Sequence, residues 1–139
     1  MATKTSVFSK VDLGLSAAVL VGVFQLINAV RAMADPIGFA SYMGLALHAS
    51  NDTGFVLIYA LRTGFIGAVV LYLCFVKNLS ALSWLALLAI ALPVGDALLA
   101  QLGGASAGTI ARHLAIGVFL VATFALLRRP ISKQKVHFA

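Results

Sequence analysis

The stretch LGLSAAVLVGVFQLINAV, residues 13–30, runs without a single charge and stops at Arg31. A helix rises about 1.5 Å per residue, so a run of this length comes close to crossing the roughly 30 Å hydrocarbon core of a bilayer. Its apolar residues are continuous, as they are again in WLALLAIAL (84–92). A transmembrane strand would instead alternate over segments of about ten residues. Three similar runs follow. Thr53 to Val76 is interrupted only by Arg62, Leu82 to Gln101 holds Pro93 and Asp96, and Thr109 to Leu127 is apolar apart from Arg112 and His113. Hydrocarbon offers the backbone no hydrogen-bonding solvent, so each run must be helical. The sequence therefore predicts an all-α protein, a four-helix transmembrane bundle. Residues 1–139 form a single membrane domain with helices at about 13–31, 53–76, 82–101 and 109–127.

Composition leads to the same class. Of 139 residues, 62% are apolar and only 10% charged, against about 25% charged in ordinary soluble domains. That leaves too little charge for a water-facing surface and too much hydrophobicity for disorder. The net charge of +6 does not indicate nucleic acid, because the basic residues punctuate apolar runs and do not gather on a polar surface. The partner they imply is the lipid bilayer.

Turn residues mark the boundaries. Pro36 follows the first span, Asn51-Asp52-Thr53 precedes the second, Ser80 precedes the third, and GGASAG (103–108) separates the third from the fourth. The one long connection contains PIGFASYMGLAL (36–47), apolar enough to form a short helix at the interface or folded over the bundle. With four spans, both termini and the second connection share a side. That side collects Lys4, Lys10, Lys77, Arg128, Arg129, Lys133 and Lys135, so both termini are expected in the cytoplasm. Lys4, Lys10, the first apolar run and Ala32-Met33-Ala34 imitate a secretory signal. The run exceeds the usual 7–15 residues and Arg31 stands just before the cleavage-like site, so the segment is expected to be retained. Asn51-Asp52-Thr53 is also a glycosylation sequon.

Ionisable groups inside a membrane cost about 2.5–3.5 kcal/mol each on insertion scales, so they call for a reason. Arg62 lies about 14 Å into its span, Asp96 about 21 Å from the cytoplasmic start of its own, and His113 about 6 Å inside the fourth helix. Gln25 and Asn28 stand one turn apart on the first helix, with Arg31 a further turn outward, and Tyr59 and Arg62 share a face of the second. All four helices thus carry polar groups in the outer half, while their inner halves are nearly pure hydrocarbon. This predicts an outward-facing polar pocket in which Arg62 and Asp96 pair, since neither charge is tolerable alone at low dielectric. Arg62, Asp96 and His113 are the candidate catalytic residues, and Gln25, Asn28, Arg31, Tyr59 and Arg112 the candidate ligand-binding ones. Plainer readings compete. The Arg62–Asp96 pair fixes helix register only, Arg31, Arg112 and His113 snorkel, Tyr42, Tyr59, Tyr72 and Trp84 are interfacial aromatics, and Gln25 and Asn28 bond between helices. Pro93 frees a carbonyl that is either a further acceptor or only a kink.

Other chemistries find no motif. Cys74 is the sole cysteine, and the three histidines His48, His113 and His137 are scattered without metal-ligand spacing. There is no Walker loop or dinucleotide fingerprint, so neither metal nor cofactor is expected. Small residues spaced by four, Ala60/Gly64/Ala68 and Ala91/Gly95, allow close helix contacts within the chain or in a homo-oligomer.

These residues also carry a resemblance. Pro36 with Gly38, ALRTGFIGAV (60–69), PVGDALL (93–99) and RHLAIGV (112–118) resemble the pattern of a family of small, uncharacterised four-span membrane proteins of bacteria and fungi. More distantly the chain is similar to the DoxX-like membrane proteins. The resemblance covers roughly residues 13–127 and implies the same four-span fold. It departs at Thr63, where the family often has an acid, leaving Asp96 as the one intramembrane acid. The DoxX-like similarity implies association with oxidoreductase systems, at the level of fold alone.

Three functions fit these residues. In the first, a cofactor-independent isomerase, cyclase or hydratase acts on a lipophilic small molecule by acid–base chemistry: Arg62 stabilises negative charge, Asp96 is acid or base, and His113 relays protons. In the second, the same pocket belongs to a binding or transport subunit for an anionic or quinone-like ligand. In the third, the protein is an accessory subunit of a membrane complex.

Overall fold

The structure, a computed structural model, describes residues 10–45, 47 and 52–136. The sequon at Asn51 and the histidines His48 and His137 lie outside them. Among the described residues there are six helices and no strand: α1 (Lys10–Ala34), α2 (Pro36–Met43), α3 (Thr53–Phe75), α4 (Leu79–Ala89), α5 (Ala91–Leu102) and α6 (Ala107–Val136). α1, α3, the pair α4–α5 and α6 are each long and apolar enough to cross a membrane. This is the four-span, all-α architecture that the sequence predicts. Four successive crossings put the start of α1 and the end of α6 at one end of the bundle, the terminal end, and α2 at the other.

Local chemistry sets the boundaries. The third span is broken at Ile90 into α4 and α5, because Pro93 lacks an N–H and its ring crowds the carbonyl four residues back. The span starts at Leu79, earlier than Ser80 suggests, because the Asn78 side chain accepts from the Ala81 amide at 3.1 Å. At the start of α6, the Ser106 hydroxyl accepts from the Thr109 amide. α2 is shorter than the apolar run 36–47. Asp35 caps it by accepting from the Gly38 amide at 2.9 Å, and Gly44 ends it with φ of 83°. Only glycine takes that left-handed conformation freely.

The bundle is narrow and lined with small side chains, while the large apolar ones face outward. Ala17, Ala18, Ala29, Ala32, Ala60, Ala86, Ala97 and Ala100 are buried, whereas Phe55, Phe75, Leu88 and Leu102 are 70–85% exposed. A water-soluble protein does not show so much apolar surface; spans in lipid associate through small residues that let backbones approach. α1 packs most extensively on α3 and also meets α6, which in turn carries α4 and α5. At the closest α1–α3 approach, a Cβ on Gly67 would stand 2.9 Å from the Gly22 carbonyl oxygen. α3 scarcely touches α5, so a seam runs between them.

Two hydrophobic clusters close the ends of the bundle. Ala18, Val70, Cys74, Leu82 and Leu127 form the one at the terminal end. Ala32, Phe39 and Ala60, backed by Tyr42, Met43, Val56 and Tyr59, form the one beneath α2.

Candidate functional site

Between these clusters lies a layer of polar side chains. Asn28, Tyr59, Asp96 and His113 each stand six residues from the α2 end of their own helix, about 9 Å down. One comes from each span. Asn28 and His113 are 4% and 2% exposed, and Tyr59 and Asp96 are half-buried.

His113 is held from above: its Nε2 donates to the Met43 carbonyl at 3.1 Å. That bond fixes the tautomer and leaves Nδ1 as the ring nitrogen able to exchange a proton. Asp96 lies within electrostatic range of His113 and of Tyr59. The Tyr59 phenol also engages the Thr63 side chain, one turn along α3, and its ring packs at a 38° tilt against Phe39 of α2, with centroids 5.6 Å apart. The Asn28 Oδ1 atom is buried with no hydrogen-bond partner. Other buried hydroxyls satisfy themselves on their own helices, Ser83 on Ser80 and Thr123 on Phe119. Asn28 is therefore a specific exception, and a buried acceptor left empty costs about 1–3 kcal/mol.

Below the layer, a cleft follows the seam between α3 and α4–α5. Its lining includes Val21 and Gln25 of α1, Ile66 and Val70 of α3, Leu85, Ala89 and Leu92 of α4–α5, and Thr123 of α6. Its empty space is about 410 Å³ including the open mouth, of which about 30 Å³ admits a water-sized body. That space holds a water or two; small-molecule pockets run to about 300–1,000 Å³. Val21, Gln25 and Asn28 follow one another at helical spacing on α1, so Asn28 stands on the cleft-lining face, one turn above Gln25.

The eight residues expected at one pocket thus fall into distinct groups. Asn28, Tyr59, Asp96 and His113 form the layer, and Gln25 belongs to the cleft beneath it. Arg31 and Arg112 flank Tyr42 of α2 instead, with Cζ atoms 4.3 and 3.8 Å from its ring centroid. Arg112 does not simply snorkel, since it also donates to the Tyr42 carbonyl. Arg62 belongs to none of these groups. It is exposed on α3, no ion pair joins it to Asp96 among the described residues, and the expected Arg62–Asp96 pair is not formed.

Residues 16–127 match DUF4267, a domain of unknown function. The chain belongs to the DUF4267 family. No curated protein and no solved structure matches it. The DUF4267 match runs from Ser16 in α1 to Leu127 and so takes in the whole polar layer. Sequence reasoning missed two residues that pack against these groups. Tyr42, read as an interfacial aromatic, ties α2 to two spans. Thr63, noted only for lacking an acid, is the partner of Tyr59. Its side chain is 4% exposed, and its place on the stripe of Ala60, Gly64 and Gly67 was the available signal.

Proposed function

We propose that this small membrane protein binds a lipophilic molecule with a polar head. The head sits in the layer of Asn28, Tyr59, Asp96 and His113, and the apolar body lies along the seam between α3 and α4–α5. The single observation that carries this reading is the orphaned Asn28 Oδ1, a buried acceptor in a polar layer directly above an apolar cleft. Nearly every buried polar atom in a folded protein has a partner, so a head group bearing a hydroxyl or amine donor completes the site. A seam between two lipid-facing spans suits a molecule arriving from the bilayer.

The test is purification in mild detergent followed by mass spectrometry for a co-purifying small molecule. Wild type is expected to retain one, and Asn28→Leu to lose it while remaining as stable or becoming more so. Replacing an unsatisfied buried acceptor by an apolar group of similar shape removes a penalty. No bound molecule in wild type, or equal recovery from both proteins, contradicts the reading.

A second reading, acid–base transformation of the bound molecule, is favoured by the neighbouring Asp96 and His113. His113 Nδ1 and the Asp96 carboxyl are two groups able to take and return a proton beside the head. On this reading Asp96→Asn retains the molecule but no longer converts it. The bias of Lys10, Lys77, Arg128 and Arg129 supports a cytoplasmic terminal end; in that orientation the layer lies in the outer half of the membrane.

A further inference from the structure

At the α2 end, one aromatic ring carries two cations. The Cζ atoms of Arg31 and Arg112 lie 4.3 and 3.8 Å from the Tyr42 centroid, so the two charges are no more than about 8 Å apart, close enough to repel appreciably. The ring face attracts each of them but neutralises neither. Arg112 spends one donor on the Tyr42 carbonyl, and among the described residues neither arginine forms an ion pair. Of the carboxyls on this half of the chain, Asp35 accepts from the Gly38 amide that starts α2, and Asp96 lies lower, within electrostatic range of His113. A guanidinium offers five N–H donors, so most of those of both groups stay available. Arg31 is three residues from the end of α1 and Arg112 five from the start of α6, about 5 and 8 Å down. Both long side chains reach the headgroup zone from there. The oxyanion abundant in that zone is phosphate, which arginine binds bidentately.

We propose that Arg31, Arg112 and Tyr42 form a binding site for a phosphate group at the membrane interface on the α2 side. The site uses none of the residues of the polar layer and stands whether or not that layer binds a ligand. Each arginine near a lipid surface contributes about a fivefold gain in binding, and the pair about 30-fold. Both guanidinium groups already rest on the ring, so less rotamer freedom remains to be lost on binding.

The experiment is native mass spectrometry of the full chain titrated with phosphatidylglycerol, and with diacylglycerol as a phosphate-free control. Arg31→Gln, at an exposed position, is expected to weaken phosphatidylglycerol binding about fivefold, and Arg31→Gln with Arg112→Gln about 30-fold. Diacylglycerol binding is expected to stay the same in all three proteins. A competition arm with inorganic phosphate separates the sources. Displacement of the lipid by millimolar phosphate assigns the site to a soluble phosphate compound, and resistance assigns it to a lipid headgroup. If the double variant does not fold, the single variant carries the test. Unchanged phosphatidylglycerol affinity in folded Arg31→Gln, or an equal loss of diacylglycerol binding, overturns the proposal.

Discussion

Arg62 lies nine residues into α3 and shares its exposed face with Ile58, Leu61 and Phe65, while Asp96 is half-buried beside Tyr59 and His113. Had the two charges paired inside the bundle, removing one would cost about 3–5 kcal/mol. With no pair to break, Arg62→Leu is expected to leave thermal stability in detergent unchanged or higher and to ease membrane insertion. A cation at mid-span costs about 2.5–3.5 kcal/mol on insertion scales. A melting temperature lowered by ten degrees or more would show that Arg62 has a structural partner. The depth of each polar residue was legible by counting along its helix, which is how Asn28, Tyr59, Asp96 and His113 could be grouped. Rotation about the helix was not, because every side of these spans is apolar and periodicity no longer separates inside from outside. What separates them is size. Ala60, Thr63 and Gly67 mark the buried face of α3, and Arg62 falls away from it.

The helices themselves are held by close approach and by caps. Gly67→Ala puts a methyl group 2.9 Å from the Gly22 carbonyl, and a backbone atom cannot rotate away. The expected loss is about 1–3 kcal/mol, read as a lower melting temperature. Gly54, where an added Cβ meets nothing within 4 Å, serves as the control: Gly54→Ala is expected to be neutral or slightly stabilising. At the turn between α3 and α4, Lys77 adopts φ of 54°, a conformation that costs a residue with a Cβ about 1–2 kcal/mol. Lys77→Gly is therefore expected to stabilise the protein by about 1 kcal/mol, and a destabilised variant would contradict that account of the turn. Spans were readable from run length alone, and their approximate ends from Pro36, Asn51-Asp52-Thr53, Ser80 and GGASAG (103–108); the capping side chains Asp35, Asn78 and Ser106 were not singled out. The length of α2 was not readable, since GLAL (44–47) continues the apolar run and only the conformation of Gly44 ends the helix. The contacts from Arg112 and His113 to α2 cross seventy residues of sequence, beyond any local pattern.

Seen whole, the molecule is a thin bundle that is closed by hydrocarbon at both ends, polar in one layer and open along one seam. Its small-inside, large-outside arrangement suits a lipid solvent. The orientation rests on the basic residues of the terminal end: a reporter active only in the cytoplasm is expected to be active when fused after residue 139 and silent when inserted at Gly104. The opposite pattern would invert the topology. At this scale the architecture was legible because bilayer thickness and backbone satisfaction leave a chain of this composition few alternatives. The seam was not, because it depends on α3 and α5 failing to meet. The most direct measurement of the central claim is a crystal structure of the wild-type protein grown from a lipidic mesophase. The account predicts non-protein density within hydrogen-bonding distance of Asn28 Oδ1 that continues between Ile66 and Leu92. Asn28 satisfied by a protein side chain or a lone water, with the seam closed by its own side chains, would contradict it.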